Sequence, residues 1–305
     1  MTKLQKFKES YFLYSFKRDK VAIASFIVLV TLLILALTAP WIAPMNPYDA
    51  KNIDIMNSEI PPAWSEQGDS SFLLGTDNMG RDMLSTMLYG LRTSIIIGVC
   101  AVILQAGIGI IVGLTAGYLG GKTDAILMRI ADIQFSFPYL ILAIIVSAIF
   151  HLVFGIGSFE RLAIPLLIVI IGLSEWPMYA RTIRSSVIGE VNKEYVEAAR
   201  VIGLSRPTIM IRHVLPNSLT SVMVISTIQL ANAVMSEAAL SFLGLGMPVT
   251  KPSLGSLIQA GFDYIFSGSW WITIFPGVLL VLFVLVINLL GDWLRDVLNP
   301  KLYKG

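Results

Sequence analysis

Gly120, Gly121, Lys122 and Thr123 in the stretch GYLGGKTD, Gly117 to Asp124, are the residues whose types come nearest to handling a phosphate. A P-loop needs a glycine-rich turn whose N–H groups cradle phosphates, a lysine that reaches the terminal ones, and a strand before the turn. Its first glycine would have to stand at 116, which is Ala116, and a long apolar run precedes it instead of a strand. The chain itself therefore offers no such site for ATP, and Lys122 reads as a basic anchor at a membrane edge. His151 and His213 fall on opposite sides of the topology derived below and cannot share a metal, and Cys100 is the single cysteine, in an apolar run. No HExxH, GxSxG or paired-cysteine pattern occurs. The sequence presents no catalytic and no metal-binding set, and no cofactor is expected on this chain.

The remaining ionisable candidates lie in or beside apolar runs. An ionisable group inside a membrane is by default a functional candidate that faces a bundle interior or a water-filled path. Glu237 is one; its other reading is structural, accepting N–H bonds from the turn LSFLGLG that follows. Arg129 and Asp132 are spaced to pair across one helical turn. Glu175, before Trp176 and Pro177, is open between the two readings.

These residues must be positioned by membrane helices. Of 305 residues, 55% are hydrophobic and 14% charged, with a mean hydropathy of +0.76, which argues against soluble domains. A spanning helix needs about 20 mostly apolar residues. Six stretches qualify, giving an all-α polytopic fold: Val21 to Ala43, Ser94 to Leu119, Ala125 to Phe150, Leu162 to Tyr179, Leu219 to Leu243 and Trp270 to Leu290. Pro138 interrupts the third, whose hydrophobic part is expected from about Phe135. The first reads as an uncleaved anchor, its apolar core being longer than that of a signal peptide.

Six spans put both termini on one side, and placing that side in the cytoplasm puts 17 of the 22 lysines and arginines inside. Lys3, Lys6, Lys8, Lys301 and Lys304 are among them; only Lys51, Arg81, Arg92, Arg161 and Lys251 fall outside. The positive-inside rule thus predicts cytoplasmic termini in the cell membrane. The net charge of +2, not gathered into a stripe, gives no reason to expect nucleic acid. Two outer segments, Pro44 to Arg92 and Gly244 to Ser269, read as ordered loops.

Gly109, Gly113, Gly117 and Gly121 recur every four residues in the second span. On a helix they form a ridge where another backbone can approach closely, which is how helices associate in lipid.

Between the fourth and fifth spans lies EYVEAARVIGLSRPTIMIRHVLPN, Glu194 to Asn217, a polar, basic insert predicted to be cytoplasmic. Asn192 is the expected N-cap of a first helix, with Tyr195, Ala199 and Ile202 on one face and Gly203 as its left-handed cap. Ser205 and Pro207 start a second helix, and Pro216 marks the return to the fifth span. The residues alone fit either an elbow built to be touched or a basic loop resting on anionic lipid headgroups.

Spacing adds a resemblance. Glu197, Ala198, Ala199, Gly203, Leu215 and Pro216 match the EAA signature of permease subunits of ATP-binding-cassette importers, with His213 where the general pattern has an aliphatic residue. LLGTDNMGRDMLS at 73–85, ALSFLGLG at 239–246 and NLLGDWLRDVLNPKL at 288–302 are similar to the C-type permeases of dipeptide, oligopeptide and nickel importers. Trp293 stands where relatives often have glycine, and Leu254 where they have tryptophan.

The resemblance implies a type I (MetI-like) permease fold. It divides the chain into an N-terminal segment, first span and outer loop over 1–90, a permease domain over 91–292 with its coupling loop at about 186–217, and a tail over 293–305. It implies a homologous B-type permease, two ATPases carrying ATP and magnesium, and an extracytoplasmic binding protein as partners, with the elbow docking on an ATPase. Di- and oligopeptides are the expected cargo; nickel or another small molecule is the alternative within transport. A secondary transporter is the alternative outside it, and the inverted repeats with broken helices that would mark one are not apparent.

Overall fold

The computed structural model describes residues 11–49, 51, 53–248 and 250–298, and among these it is helical with irregular connections. Lys3, Lys6, Lys8, Lys301, Lys304 and the end of the 293–305 tail lie outside the described residues. Helix α1, Tyr11–Arg18, meets α2, Lys20–Ile42, at Asp19, whose carboxylate accepts from the Val21 and Ala22 N–H groups at 2.9 and 3.0 Å. Helix α3 runs over Met83–Leu119, capped by Asp82 accepting from Ser85 N at 2.7 Å. Then follow α4, Gly121–Ser136, α5, Tyr139–Phe154, and α6, Ile156–Val191. Two short helices, α7, Glu194–Val201, and α8, Arg206–Ile209, lead through one π-helical stretch, Met210–Val214, into α9, Leu215–Phe242. Helices α10, Leu254–Phe262, and α11, Trp271–Leu298, complete the bundle.

Five helical stretches are long and apolar enough to cross a membrane: Lys20–Ile42, Met83–Leu119, Phe159–Val191, Arg206–Phe242 and Trp271–Leu298. The third expected span is not one straight helix. Its two parts, α4 and α5, meet at 81°, because Pro138 cannot continue a helix and holds Phe137 extended at φ −94°, ψ 122°. The fourth span is also longer than its apolar core, since α6 continues through a polar last third. The segment expected as a second outer loop contains α10, started by a capping box between Ser253 and Ser256.

Helix α3 lies along α6 on a glycine face. A Cβ on Gly109 would come 2.2 Å from Tyr179 Cβ, one on Gly113 2.4 Å from the Ala180 carbonyl oxygen, and one on Gly117 2.9 Å from Val187 Cβ. Only glycine permits this approach. Gly121 is not part of that face: it opens α4 at φ +54°, with no neighbour within 4 Å of a would-be Cβ. It is a turn residue, because α3 has already ended at Gly120 and the four-residue register stops there.

Helix α4 is fixed along α6 by two ion pairs. Arg184 grips Asp124 through Nε at 2.5 Å and Nη2 at 2.6 Å, and Arg181 reaches Asp132 at 2.7 Å while its guanidinium lies 4.6 Å from the Phe135 ring centre. Asp132 therefore pairs with Arg181, not with Arg129 as spacing suggested: the bent α4 lies against α6, which brings in a cation that also finds an aromatic face.

At the end of the bundle away from Tyr118, the GTDNMGRD stretch folds on itself. Asp77 accepts from Met79 N and Arg81 N, both at 2.9 Å, and from Arg81 Nε at 2.7 Å, with both side chains buried. Thr76 receives Ile60 N and Trp271 Nε1 on its hydroxyl and carbonyl, which ties this loop to α11.

Candidate functional site

The elbow formed by α7 and α8 is held together by a small apolar core. Val196, Ala199, Ile209 and Val214 are buried against Ile183 and Val187 of α6 and Val222 of α9. Burying such aliphatic side chains contributes about 1.5–3 kcal/mol each, enough to set a short helix that would be unstable alone. Asn192 does not cap α7. It closes α6, its Nδ2 donating to the Ile188 carbonyl at 3.3 Å, and Lys193 stands at the N-cap without a side-chain bond to the helix end. The buried stripe is likewise Val196 and Ala199, not Tyr195, Ala199 and Ile202, since Val196 is fully buried in the elbow core while Tyr195 and Ile202 are exposed.

Gly203 ends α7 at φ +86°. Its N–H donates to the Arg200 carbonyl at 3.0 Å and the Leu204 N–H to the Ala199 carbonyl at 3.1 Å, the two bonds of a Schellman cap. No atom lies within 4 Å of a would-be Cβ, so backbone conformation, not space, selects glycine there. Ser205 precedes α8, and its hydroxyl pairs with that of Thr208 at 2.8 Å. The π-helical stretch before α9 suits Pro216, which has no N–H and would clash with the carbonyl four residues back in an α turn; Leu215 N–H reaches back to Met210 instead. Helix α8 thereby continues without a break into the long helix ending at Phe242.

The matched signature residues divide by position. Glu197 and Ala198 are exposed, Ala199 is packed inside, Leu215 leans on the elbow core, and Gly203 and Pro216 shape the chain. Among the described residues Glu197 has no ion-pair partner. Beside it the tip of the elbow presents Val201 and Ile202, 87% and 77% exposed. Two large aliphatic side chains so open at the end of a polar elbow make a surface suited to a partner's apolar cleft.

Sequence reasoning missed the polar hub that fixes the elbow to its two long helices. The Tyr195 hydroxyl bonds to Glu190 on α6 and accepts from Asn217 Nδ2 on α9 at 3.0 Å. Asn217 also donates to the His213 carbonyl at 2.9 Å, and Lys193 reaches Glu190 at 2.5 Å. Desolvation and the neighbouring carboxylate push the Tyr195 phenol above its ordinary range, and the bond to Glu190 raises Lys193, so both keep their protons near neutrality. The available signal was the polar character of Tyr195 and Asn217, 22 residues apart, one on each arm of the elbow.

Glu237 is fully buried at the other end of α9. It accepts from Ser94 and Ser241, each at 2.7 Å, while Ser241 in turn accepts from Met247 N at 3.0 Å. It thus holds the turn after α9 through Ser241 instead of by accepting N–H bonds directly, and it joins α3 to α9. Glu175 is half-buried in the middle of the fourth span.

Comparison with known proteins agrees with this architecture. Residues 109–304 match the family described as binding-protein-dependent transport system inner membrane component, and residues 10–62 match the N-terminal TM domain of oligopeptide transport permease C. The chain is 39% identical over 302 residues to the dipeptide transport system permease protein DppC of Escherichia coli K12, covering 99% of this chain and 94% of that protein. It is 36% identical over 291 residues to the di/tripeptide transport system permease protein DppC of Pseudomonas aeruginosa, covering 95% and 91%. The fold is shared with a solved chain of the inward-facing MetNI methionine ABC transporter at a TM-score of 0.56 and 23% identity, covering 70% of this chain and 97% of that one. With its membrane-crossing helices, its EAA elbow and these relatives, the chain belongs to the inner-membrane permease components of ABC importers, in their C-type branch.

Proposed function

We propose that this permease forms, with a homologous B-type permease, the route for di- and oligopeptides, and that its elbow takes the motion of cytoplasmic ATPases. Both termini and the elbow lie in the cytoplasm on this reading, as the distribution of basic residues argues. An extracytoplasmic binding protein delivers cargo at the opposite end, and ATP with magnesium is held by two separate ATPase subunits; this chain does no chemistry. The peptide cargo is inferred from the relatives named dipeptide and di/tripeptide permeases.

The observation that carries the coupling role is the elbow tip: exposed Val201 and Ile202 beside exposed Glu197 and Ala198, on a unit that continues rigidly into α9. When the ATPases close, an elbow seated in them moves as a body and re-packs the helices attached to it. In the reconstituted complex, Glu197→Lys and Gly203→Leu should abolish most substrate-stimulated ATPase activity and uptake. Unchanged coupling in both variants would refute the role given to the elbow.

A further inference from the structure

Glu175 is an ionisable group at the middle of a helix long and apolar enough to cross a membrane, and its surroundings point to cargo. It lies midway along the span Phe159–Val191, and among the described residues it has neither an ion-pair nor a hydrogen-bond partner. Among the other acids on or against α6, Asp124 and Asp132 hold arginines and Glu190 holds Lys193 and Tyr195, while Glu160, also without an ion pair, is exposed near the start of the helix and not at mid-span. A carboxylate without a partner is costly in hydrocarbon and is kept where it faces water or a ligand.

Its register names the face. Thr182 follows seven residues later, two turns along the same side of α6. Thr182 lines a groove of about 390 Å³ with Thr220 and Ser221 of α9 and Arg295 of α11, its other walls being the aliphatic Val224, Ile225, Ile228 and Leu298. On α9 the half-open stripe continues from Ile228 one turn outward to exposed Asn232, toward the depth of Glu175. Beside these aliphatic walls, hydroxyls, an amide and two charges gathered along one side favour a water-facing surface over a lipid-facing one. The negative charge lies at mid-span and the positive one near the end of α11, an arrangement complementary to a solute with an ammonium at one end and a carboxylate at the other.

We propose that this α6–α9 face lines the translocation route and that Glu175 receives the ammonium group of the passing peptide. The inference rests on the peptide-import reading above. Its test is Glu175→Gln and Glu175→Asp in the complete complex with its binding protein, reconstituted in proteoliposomes and supplied with an unblocked dipeptide. Expected for Glu175→Gln are normal subunit stoichiometry, normal thermal stability, an unchanged half-saturating concentration and a maximal uptake rate at least tenfold lower, with most of the rate restored in Glu175→Asp. Uptake within twofold of wild type in Glu175→Gln would overturn the proposal. So would loss of the partner permease from the complex, which would assign the carboxylate to a subunit interface. Failure of the wild-type complex to import any dipeptide with ATP present would overturn the import reading and this inference together, and is distinguishable because it needs no variant.

Discussion

Gly113 of α3 lies so close to Ala180 of α6 that a single added Cβ would stand 2.4 Å from the Ala180 carbonyl oxygen. Gly107, on the same helix, has open space at the same test. Gly113→Leu should therefore push α3 and α6 apart and lower the melting temperature of the detergent-solubilised subunit, with a cost of about 1–3 kcal/mol or more. Gly107→Leu is the control and should melt with wild type; equal behaviour of the two would remove the close-packing role of the glycine face.

Tyr195→Phe deletes one hydroxyl from the hub between α6, the elbow and α9. The shape is kept, so the complex should assemble, but Glu190 and Asn217 lose their common partner. Uptake per ATP hydrolysed should fall several-fold while basal hydrolysis stays near wild type. Asn217→Ala combined with Tyr195→Phe should add little, because both cut the same link; additive losses would show that the two residues act separately.

Arg81→Met tests the buried pair opposite the elbow. Asp77 would keep two backbone N–H bonds but lose the guanidinium at 2.7 Å while remaining out of solvent. Removing one member of a buried pair costs about 3–5 kcal/mol. Limited proteolysis of the 43–82 loop should accelerate markedly, and a digestion rate equal to wild type would show the pair to be dispensable.

Trp293, where the resemblance led to the expectation of glycine, has a structural account: its ring meets Phe12 and Phe16 edge-on, with centroids at 4.8 and 5.2 Å, and so clasps α1 to α11. Edge-to-face contacts contribute about 0.5–1.5 kcal/mol each beyond burial. In Trp293→Gly, trypsin should cut at the exposed Lys17 and Arg18 faster in inverted vesicles. No change in that rate would mean that α1 is held by other contacts.

What was legible in the sequence followed from periodicity and from single residues with strong backbone preferences. Runs of apolar residues located the spans, Gly203 located the left-handed cap, and Pro138 warned of the break between α4 and α5. What was illegible depended on partners distant in the chain. Asp132 could be paired locally with Arg129 on spacing alone, and only the folding of α4 against α6 brings in Arg181. The Asn192 cap failed for a related reason: α6 runs on to Val191, so the asparagine finishes one helix instead of starting another. The capped and exposed members of the EAA signature could not be separated before the elbow core was seen, because Val196 and Tyr195 are adjacent and both apolar enough to face inward.

The helical stretch Arg206–Phe242 has 37 residues, close to 55 Å at about 1.5 Å per residue, against a hydrocarbon thickness of about 30 Å. It is longer than the hydrocarbon is thick, and it carries the elbow at one end and the Glu237 serine cluster at the other. If it tilts as one body, such a rod acts as a seesaw. A tilt of about 10° around its middle would shift each end by roughly 5 Å in opposite directions. On the transport reading proposed above, one stiff helix that carries a feature at each end links those two ends, so that they need not be gated separately.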